Sequence, residues 1–471
     1  RAALESRRAT ATNRKFLASF PRLVFVTSRR MLLLESFMAE AASERRAWVV
    51  TVDMGYGHQR AAYPLRDIAH ERVITANSDK VVEPGERQRW RRFQFWYELL
   101  SRLSGIPWIG GFLWRAYDRF QRISPIYPFR DLSKPTFGSL FLHRMIRHNF
   151  ARSLPEYARG GGIPFVTTFF VPALAADHAG LKNIFCIVTD ADINRIWVAE
   201  RPRGSGIVYL TPTEQSRRRL FQYGVPADNL FLTGFPLPQE NVDAAREDLA
   251  GRLGRLDPRG VFYRRFRETV DREVGPPRAS KDPVEVTYAV GGAGAQKDVA
   301  ERILGSLKPL ILDGRFCLNL VAGTRFEVRN YFMDLLRVFE LEGQLDRGIR
   351  ILFCLDKPGY FERFNALLRR TDILWTKPSE LVFYAALGIP ILMTDPLGSH
   401  ESFNRDWILK MGAGFMQDDP AHAAEWLWEW RETGMLAEAA FHGFLKAPRH
   451  GTENVKRVIF AEDRDRVQLL R

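Results

Sequence analysis

Apolar residues fall along the chain in two series of short runs, each bounded by Gly, Pro, Asn or Asp. The first series is "AWVVTV", "PFVTTFF", "NIFCIVT", "GIVYLT" and "NLFLTG"; the second, after Pro283, is "VEVTYAV", "RFCLNLV", "IRILFCL", "DILWT" and "IPILMT". These runs are too apolar to have one wet face, so they suit strands of a parallel sheet covered on both sides. The spacers between them, such as "QKDVAERILGSLKPLI", carry the period of amphipathic helices. The pattern predicts an α/β protein made of two Rossmann-like doubly wound domains facing a cleft. The expected boundaries are 46–240 for the first domain, 241–282 for a charged helical linker, 283–440 for the second domain and 441–471 for a helical tail. Ligands of such sheets sit beyond the carboxyl ends of the strands, so two facing sheets would share one site.

Two segments stand outside the series. The first 46 residues are rich in Arg, Ser and Ala and hold only broken apolar stretches. Residues 1–45 read as a basic N-terminal extension that need not fold, either an organellar presequence or translation begun upstream of Met31 or Met38. The second segment, about 76–161, contains "ERQRWRRFQFWYELLSRLSGIPWIGGFLWRAYDRFQRISPIYPF", where Trp, Phe and Tyr interleave with Arg and acids are few. Bulky apolar groups cluster around "GIPWIGGFLW", a pattern suited to an amphipathic surface resting in a membrane interface with arginines toward lipid phosphates. An ordinary buried helical insertion and a single-strand nucleic-acid surface are the alternatives, the last ranking lowest.

Charge sharpens this picture. The net charge is +14, and the excess lies in Arg1–Arg46, with 10 Lys/Arg against 4 Asp/Glu, and in Glu86–Gly160, with 14 against 5. The remainder is close to neutral. Cys186, Cys317 and Cys354 are far apart in apolar contexts, which fits neither a disulfide framework nor a zinc site and suits a reducing compartment. No run approaches the roughly 18 apolar residues of a membrane-spanning helix, so the expectation is a cytoplasmic protein peripheral on the membrane.

Four places could carry chemistry. In "VVTVDMGYGHQRAAYPL" a strand passes through Gly55 and Gly57 into a helix, with His58 at the junction where unpaired amides favour negative charge. His58 could assist a hydroxyl that is losing its proton, or simply cap the helix. The stretch "VTYAVGGAGAQKDVA" repeats the device: Gly291, Gly292 and Gly294 precede a helix expected to begin near Gln296, which outlines a diphosphate cradle. The dinucleotide fingerprint is absent, because "LVAGTR" replaces the acidic residue expected after the next strand. Glu380 opens a helix where it could accept ribose hydroxyls, and Gly398, Ser399, His400, Glu401 and Asn404 form a polar loop after "IPILMT" suited to sugar hydroxyls or to a plain turn. Finally, "DAD" offers Asp190 and Asp192, either a metal pair or, as favoured, a strand-end Asp190 in the cleft that contacts the acceptor or acts as an alternative base.

The order "DMGYGHQRAA", "VTDADINRIW", "LTPTEQSRRRLFQYGVPADNLFLTGFPL", "GGAGAQ" and "TKPSELVFYAALGIPIL…GSHESFN…GAG" resembles the galactolipid synthases, the diacylglycerol glucosyltransferases and the N-acetylglucosaminyltransferase of peptidoglycan lipid intermediates. The similarity covers roughly Val49 to Gly414 in layout. It implies the GT-B fold and an inverting glycosyltransferase that moves a sugar from a UDP-sugar to a lipid or lipid-linked hydroxyl, with no metal and no cofactor beyond the donor. Position by position it implies donor contacts at Gly291, Gly292, Gly294, Gln296, Glu380, His400, Glu401 and Asn404, an acceptor-side turn at Gly55 and Gly57, and His58 or Asp190 as base. The implied partners are the UDP-sugar, the lipid acceptor and an anionic membrane, with no nucleic acid. The chain departs from the family pattern in the short "KPSEL", which displaces Glu380, and in "VTDADINRIW", where Asn194 or Arg195 stands for a histidine. Other readings of the same fold are a UDP-sugar 2-epimerase-like enzyme and a non-catalytic homologue that binds nucleotide-sugar or membrane.

Overall fold

The structure is a computed structural model that describes residues 45–103, 123–128, 130–291, 296, 298–396, 398–462, 464 and 467–470. The N-terminal extension at 1–44 and the "GIPWIGGFLW" segment lie outside the described residues. The chain divides into Arg1–Arg46 and a second unit, Ala47–Arg471, which holds both sheets.

The first lobe is a parallel sheet in the order β2-β1-β3-β4-β5-β6, built from Trp48–Thr51 (β1), Ile74–Thr75 (β2), Phe165–Thr167 (β3), Ile184–Ile187 (β4), Ile207–Thr211 (β5) and Leu230–Leu232 (β6). The second lobe orders its strands β12-β11-β10-β7-β8-β9: Val284–Ala289 (β7), Phe316–Gly323 (β8), Ile349–Phe353 (β9), Ile373–Thr376 (β10), Ile391–Met393 (β11) and Gly414–Met416 (β12). Each apolar run of the sequence became a strand. Edge strands β2 and β12 were not anticipated; two and three residues are too short to print a hydrophobic period.

Burial explains why these strands carry no polar face. In the first sheet Trp48 and Val50 pack into one apolar cluster with Ile184 and Cys186, while Val49 packs into another with Val166 and Phe185. Successive side chains point to opposite faces, so a sheet covered on both sides needs apolar residues at every position.

Strand order sets where a ligand can enter. In the first lobe the order reverses between β1 and β3, and in the second between β7 and β10. A crevice opens at such a reversal because the connecting segments leave in opposite directions.

Two expectations about domain limits change. The segment 241–282 is not a free linker: the helix Gln239–Leu256 buries Val242, Ala245, Leu249, Leu253 and Leu256 in the core of the second lobe. Arg252 on that helix, itself buried, donates to the carbonyls of Thr371 (2.8 Å), Leu387 (3.1 Å) and Gly388 (2.8 Å). Its charged residues resemble a linker, but the apolar ones recur every three to four positions, which is a packing face. The tail also divides. Met435–Lys446 packs on the second lobe, whereas Gly451–Ile459 returns to the first and inserts Val455, Val458 and Ile459 beside Val49 and Leu65.

Candidate active site

The glycine turn after β1 runs directly into the helix Tyr56–Ala62. Gly55 has φ of 100°, a region that L side chains avoid, and serves as the cap of that helix. His58 therefore sits in the first turn of the helix, at the strand reversal of the first lobe. Its Nδ1 lies 2.7 Å from the carbonyl oxygen of Thr168, the residue that follows β3, on the other side of the reversal. A carbonyl can only accept, so Nδ1 carries the hydrogen and the lone pair rests on Nε2. Thr189 Oγ1 stands 3.3 Å from the same nitrogen, and the rings of Phe169 and Trp197 flank the imidazole. Burial pushes the pKa of His58 below its ordinary 6.5, although Asp190, the Thr168 carbonyl and Glu380 favour the charged ring. The histidine is thus neutral near pH 7 with a basic nitrogen available.

The two aspartates of "DAD" part company. Asp192 is fully buried and takes a two-pronged ion pair from Arg219, Nε to Oδ1 at 2.9 Å and Nη2 to Oδ2 at 2.8 Å, with Gln215 Nε2 adding a third bond at 2.9 Å. Asp190 faces the gap between the lobes and accepts from Asn404 Nδ2 at 3.1 Å. With its carboxylate spent on Arg219, Asp192 has little left to share with a metal beside Asp190. Among the described residues no group of three or more His, Cys, Asp or Glu is placed to hold a metal ion.

Of the residues expected in the second lobe, Glu380 and Asn404 meet the first lobe across the gap. Gly291 follows β7; Gly292 and Gly294 lie outside the described residues. The next helix starts at Val299 rather than near Gln296, because Gln296 has φ of 64° and its side chain is tied down. Its Oε1 accepts from Thr394 Oγ1 at 2.5 Å and its Nε2 donates to the carbonyl of Asp395 at 3.0 Å, so Gln296 fixes the turn to the end of β11. Asn404 is buried and clasps the lobes: Oδ1 accepts from the amide of Ala191 at 2.7 Å, and Nδ2 serves both Asp190 and the carbonyl of Pro378. Its amide is committed to protein groups and not directed at open space.

Glu380 begins a 3₁₀ turn, Glu380–Leu387, and meets the first lobe. A Cβ on Gly57 would stand 3.1 Å from Glu380 Oε2, so any larger residue there would press on the carboxylate. Glu380 Oε1 also lies 3.1 Å from Nε of Arg60, too far out of line for a hydrogen bond but close enough for an ion pair. The guanidinium of Arg60 is buried among Tyr56, Tyr360, Phe361 and Phe364, with the Phe364 ring centre 4.2 Å away, and Nη2 donates to the hydroxyl of Tyr360. His400 and Glu401 open the helix Ser399–Met411; Glu401 is buried and His400 half-exposed, near enough to His58 to disfavour its protonation.

Residues that sequence reasoning passed over complete the picture. Lys377, at the end of β10, donates from Nζ to Glu401 Oε1 at 2.5 Å. Arg60 was unremarked, although a charged residue two places after His58 in an otherwise small-residue helix start was a usable signal. Asn194 and Arg195 face away from chemistry: Asn194 caps a 3₁₀ turn by accepting from the amide of Ile196, and Arg195 is buried, donating to the carbonyls of Ser133 and Val198.

Two doubly wound lobes that meet across the carboxyl ends of their strands make the GT-B architecture. The chain is similar to the processive diacylglycerol beta-glucosyltransferase of Bacillus subtilis, 21% identical over 234 residues, which is 49% of this chain and 50% of that protein. The chain spans about half the length of the curated relatives it matches. Among solved structures it is similar to MurG of Acinetobacter baumannii, at 15% identity, TM-score 0.39, covering 68% of this chain and 76% of that one. It is also similar to the UDP-GlcNAc 2-epimerase of Neisseria meningitidis, at 14% identity, TM-score 0.41, covering 70% and 82%. No family model matches the chain.

Proposed function

We propose that this protein is an inverting glycosyltransferase that moves a sugar from a UDP-sugar to a hydroxyl of a lipid or lipid-linked acceptor at a membrane surface. The observation that carries the reading is His58: a neutral imidazole with its lone pair on Nε2, held at the strand reversal of one lobe, opposite the strand reversal of the other. In this scheme Nε2 takes the acceptor proton while the acceptor oxygen attacks the anomeric carbon. The new glycosidic bond forms as the bond from that carbon to the diphosphate breaks, and UDP leaves with the electron pair. Asp190 stands beside the imidazole and favours the imidazolium as it forms. No cofactor beyond the donor enters the scheme.

The acceptor class rests on the names of the relatives and on the surface of the insertion. Trp90, on the insertion helix Pro84–Leu103, is buried against Phe150 and lies within ring-contact distance of Phe169, which in turn touches His58. The helix Phe137–Arg147 buries Leu142 and Ile146 yet leaves Phe137, Leu140 and Phe141 exposed, beside Lys134 and Arg144. Exposed aromatics with arginine and lysine around them suit the headgroup region of an anionic bilayer. Among the described residues no helix is long and apolar enough to cross a membrane.

The test is mass spectrometry of a total lipid extract incubated with the protein and a mixture of UDP-sugars. A lipid heavier by one sugar, absent with His58→Ala, is the expected result. Conversion of the UDP-sugar to an epimer without any new lipid would replace the reading with an epimerase. UDP binding with neither product would make the protein a non-catalytic homologue.

A further inference from the structure

The sequence offered glycines as the only grip on a diphosphate, and the structure adds a cation to them. β10 is the neighbour of β7 across the strand reversal, with Thr376 paired to Ala289, so the residues after each strand emerge side by side. Lys377 follows β10, and its side chain runs across the face of Gly291. A Cβ on Gly291 would stand 2.9 Å from Cε of Lys377, 3.3 Å from Cδ and 3.8 Å from Nζ. The ammonium ends on Glu401, whose side chain is 2% exposed while that of Lys377 is 24% exposed. Glu401 comes from the first turn of the helix after β11, the next strand of the same sheet. Three adjacent strands are thus followed by a glycine, a cation and a buried carboxylate at the reversal.

We propose that Lys377 is the side-chain cation for the donor's diphosphate, and that Glu401 holds its ammonium in place until a phosphate oxygen shares or takes it. The inference rests on the sugar-nucleotide reading of the cleft. An ammonium is a compact point charge on a flexible stem, so it can swing between two anions without the planar match that a guanidinium needs. A buried carboxylate keeps it beside Gly291, and so most of the cost of ordering the lysine is met before the ligand arrives. Glu401 stands next to His400 and remains available for a sugar hydroxyl once the ammonium leans toward phosphate. In this way one pair would link diphosphate binding to sugar recognition.

The experiment is a calorimetric titration of the purified chain with UDP and, separately, with uridine, which lacks the phosphates. Lys377→Met is expected to weaken UDP by about 10- to 100-fold, the loss of one charge-assisted hydrogen bond, while uridine stays within about twofold. Lys377→Arg should recover part of the UDP affinity, and Glu401→Gln, which loosens the hold on the ammonium beside Gly291, should weaken UDP by less than Lys377→Met does. Because Lys377→Met removes the cation beside the buried Glu401 and can unfold the lobe, the Lys377→Met/Glu401→Gln double variant is titrated beside it and should show the same loss for UDP. Equal UDP affinity in the wild type and the double variant, or an equal loss for uridine and UDP, would overturn the proposal. Wild-type protein that bound neither ligand would overturn the sugar-nucleotide reading itself and this inference with it.

Discussion

A histidine hydrogen-bonded through Nδ1 to a carbonyl is held in one tautomer, and that places its acid–base behaviour within reach of a rate profile. Burial lowers the pKa of His58, so the ring stays neutral as pH falls through its ordinary 6.5 and gains a proton only further down. Transfer activity should therefore keep an acid limb below pH 6.5 and lose rate as pH drops through the lowered value. Asp190 favours the protonated ring, so Asp190→Asn should move that limb to still lower pH and leave transfer measurable. If Asp190→Asn instead abolishes transfer while His58→Gln keeps it, the base is the aspartate. At this scale the places of His58, Asp190 and Glu401, in the segments that follow β1, β4 and β11, could be read from the hydrophobic runs that mark those strands. The partners of Glu380 were not. Arg60 and Gly57 lie more than three hundred positions away in sequence, and nothing local in "KPSEL" tells a carboxylate aimed at a ribose from one aimed at another lobe.

Elements were easier to foresee than their ends. Both glycine turns were visible as breaks in apolar runs, yet the second helix begins three residues late, because the side chain of Gln296 bonds to Thr394 and Asp395 instead of joining a helical turn. Such side-chain bonds are invisible to periodicity. The helix Phe137–Arg147 shows the opposite case: its apolar positions exceed what one buried face needs, and the surplus of Phe137, Leu140 and Phe141 is exposed. If that surplus meets lipid, the Phe137→Ser/Phe141→Ser pair should reduce co-sedimentation with vesicles containing anionic lipid by about tenfold or more, since each buried aromatic contributes ~1.5–3 kcal/mol. Folding stability should change by less than about 1 kcal/mol, because both rings face solvent in the folded chain. Unchanged sedimentation would remove this helix from the membrane contact.

For the whole molecule, the two lobes are joined by more than the chain. The backbone passes from the first lobe to the second before the helix Gln239–Leu256 and returns before Gly451–Ile459, where Lys456 pairs with Asp67. Across the gap Tyr56 accepts from the amide of Thr324 at 3.0 Å, Lys357 pairs with Asp53 at 2.6 Å, and Arg60 meets Glu380 within an aromatic enclosure. Two chain crossings together with polar clasps between the lobes are the layout of a hinge. Arg60 is the clasp that matters most, since it is buried and lies two residues from His58, so closing the lobes and seating the histidine are one event. Arg60→Met leaves Glu380, 12% exposed, without its cation and should cost about 3 kcal/mol in denaturant unfolding. Adding Glu380→Gln removes the stranded charge, and most of that loss should return, a coupling that a double-mutant cycle measures directly. The rate should not return with it: with the clasp gone the double variant would fold but sample open lobes, visible as a larger radius of gyration in solution scattering and a lower kcat at saturating donor. A double variant as compact and as fast as the wild type would mean that the other clasps close the lobes unaided and that Arg60 merely fills its aromatic enclosure.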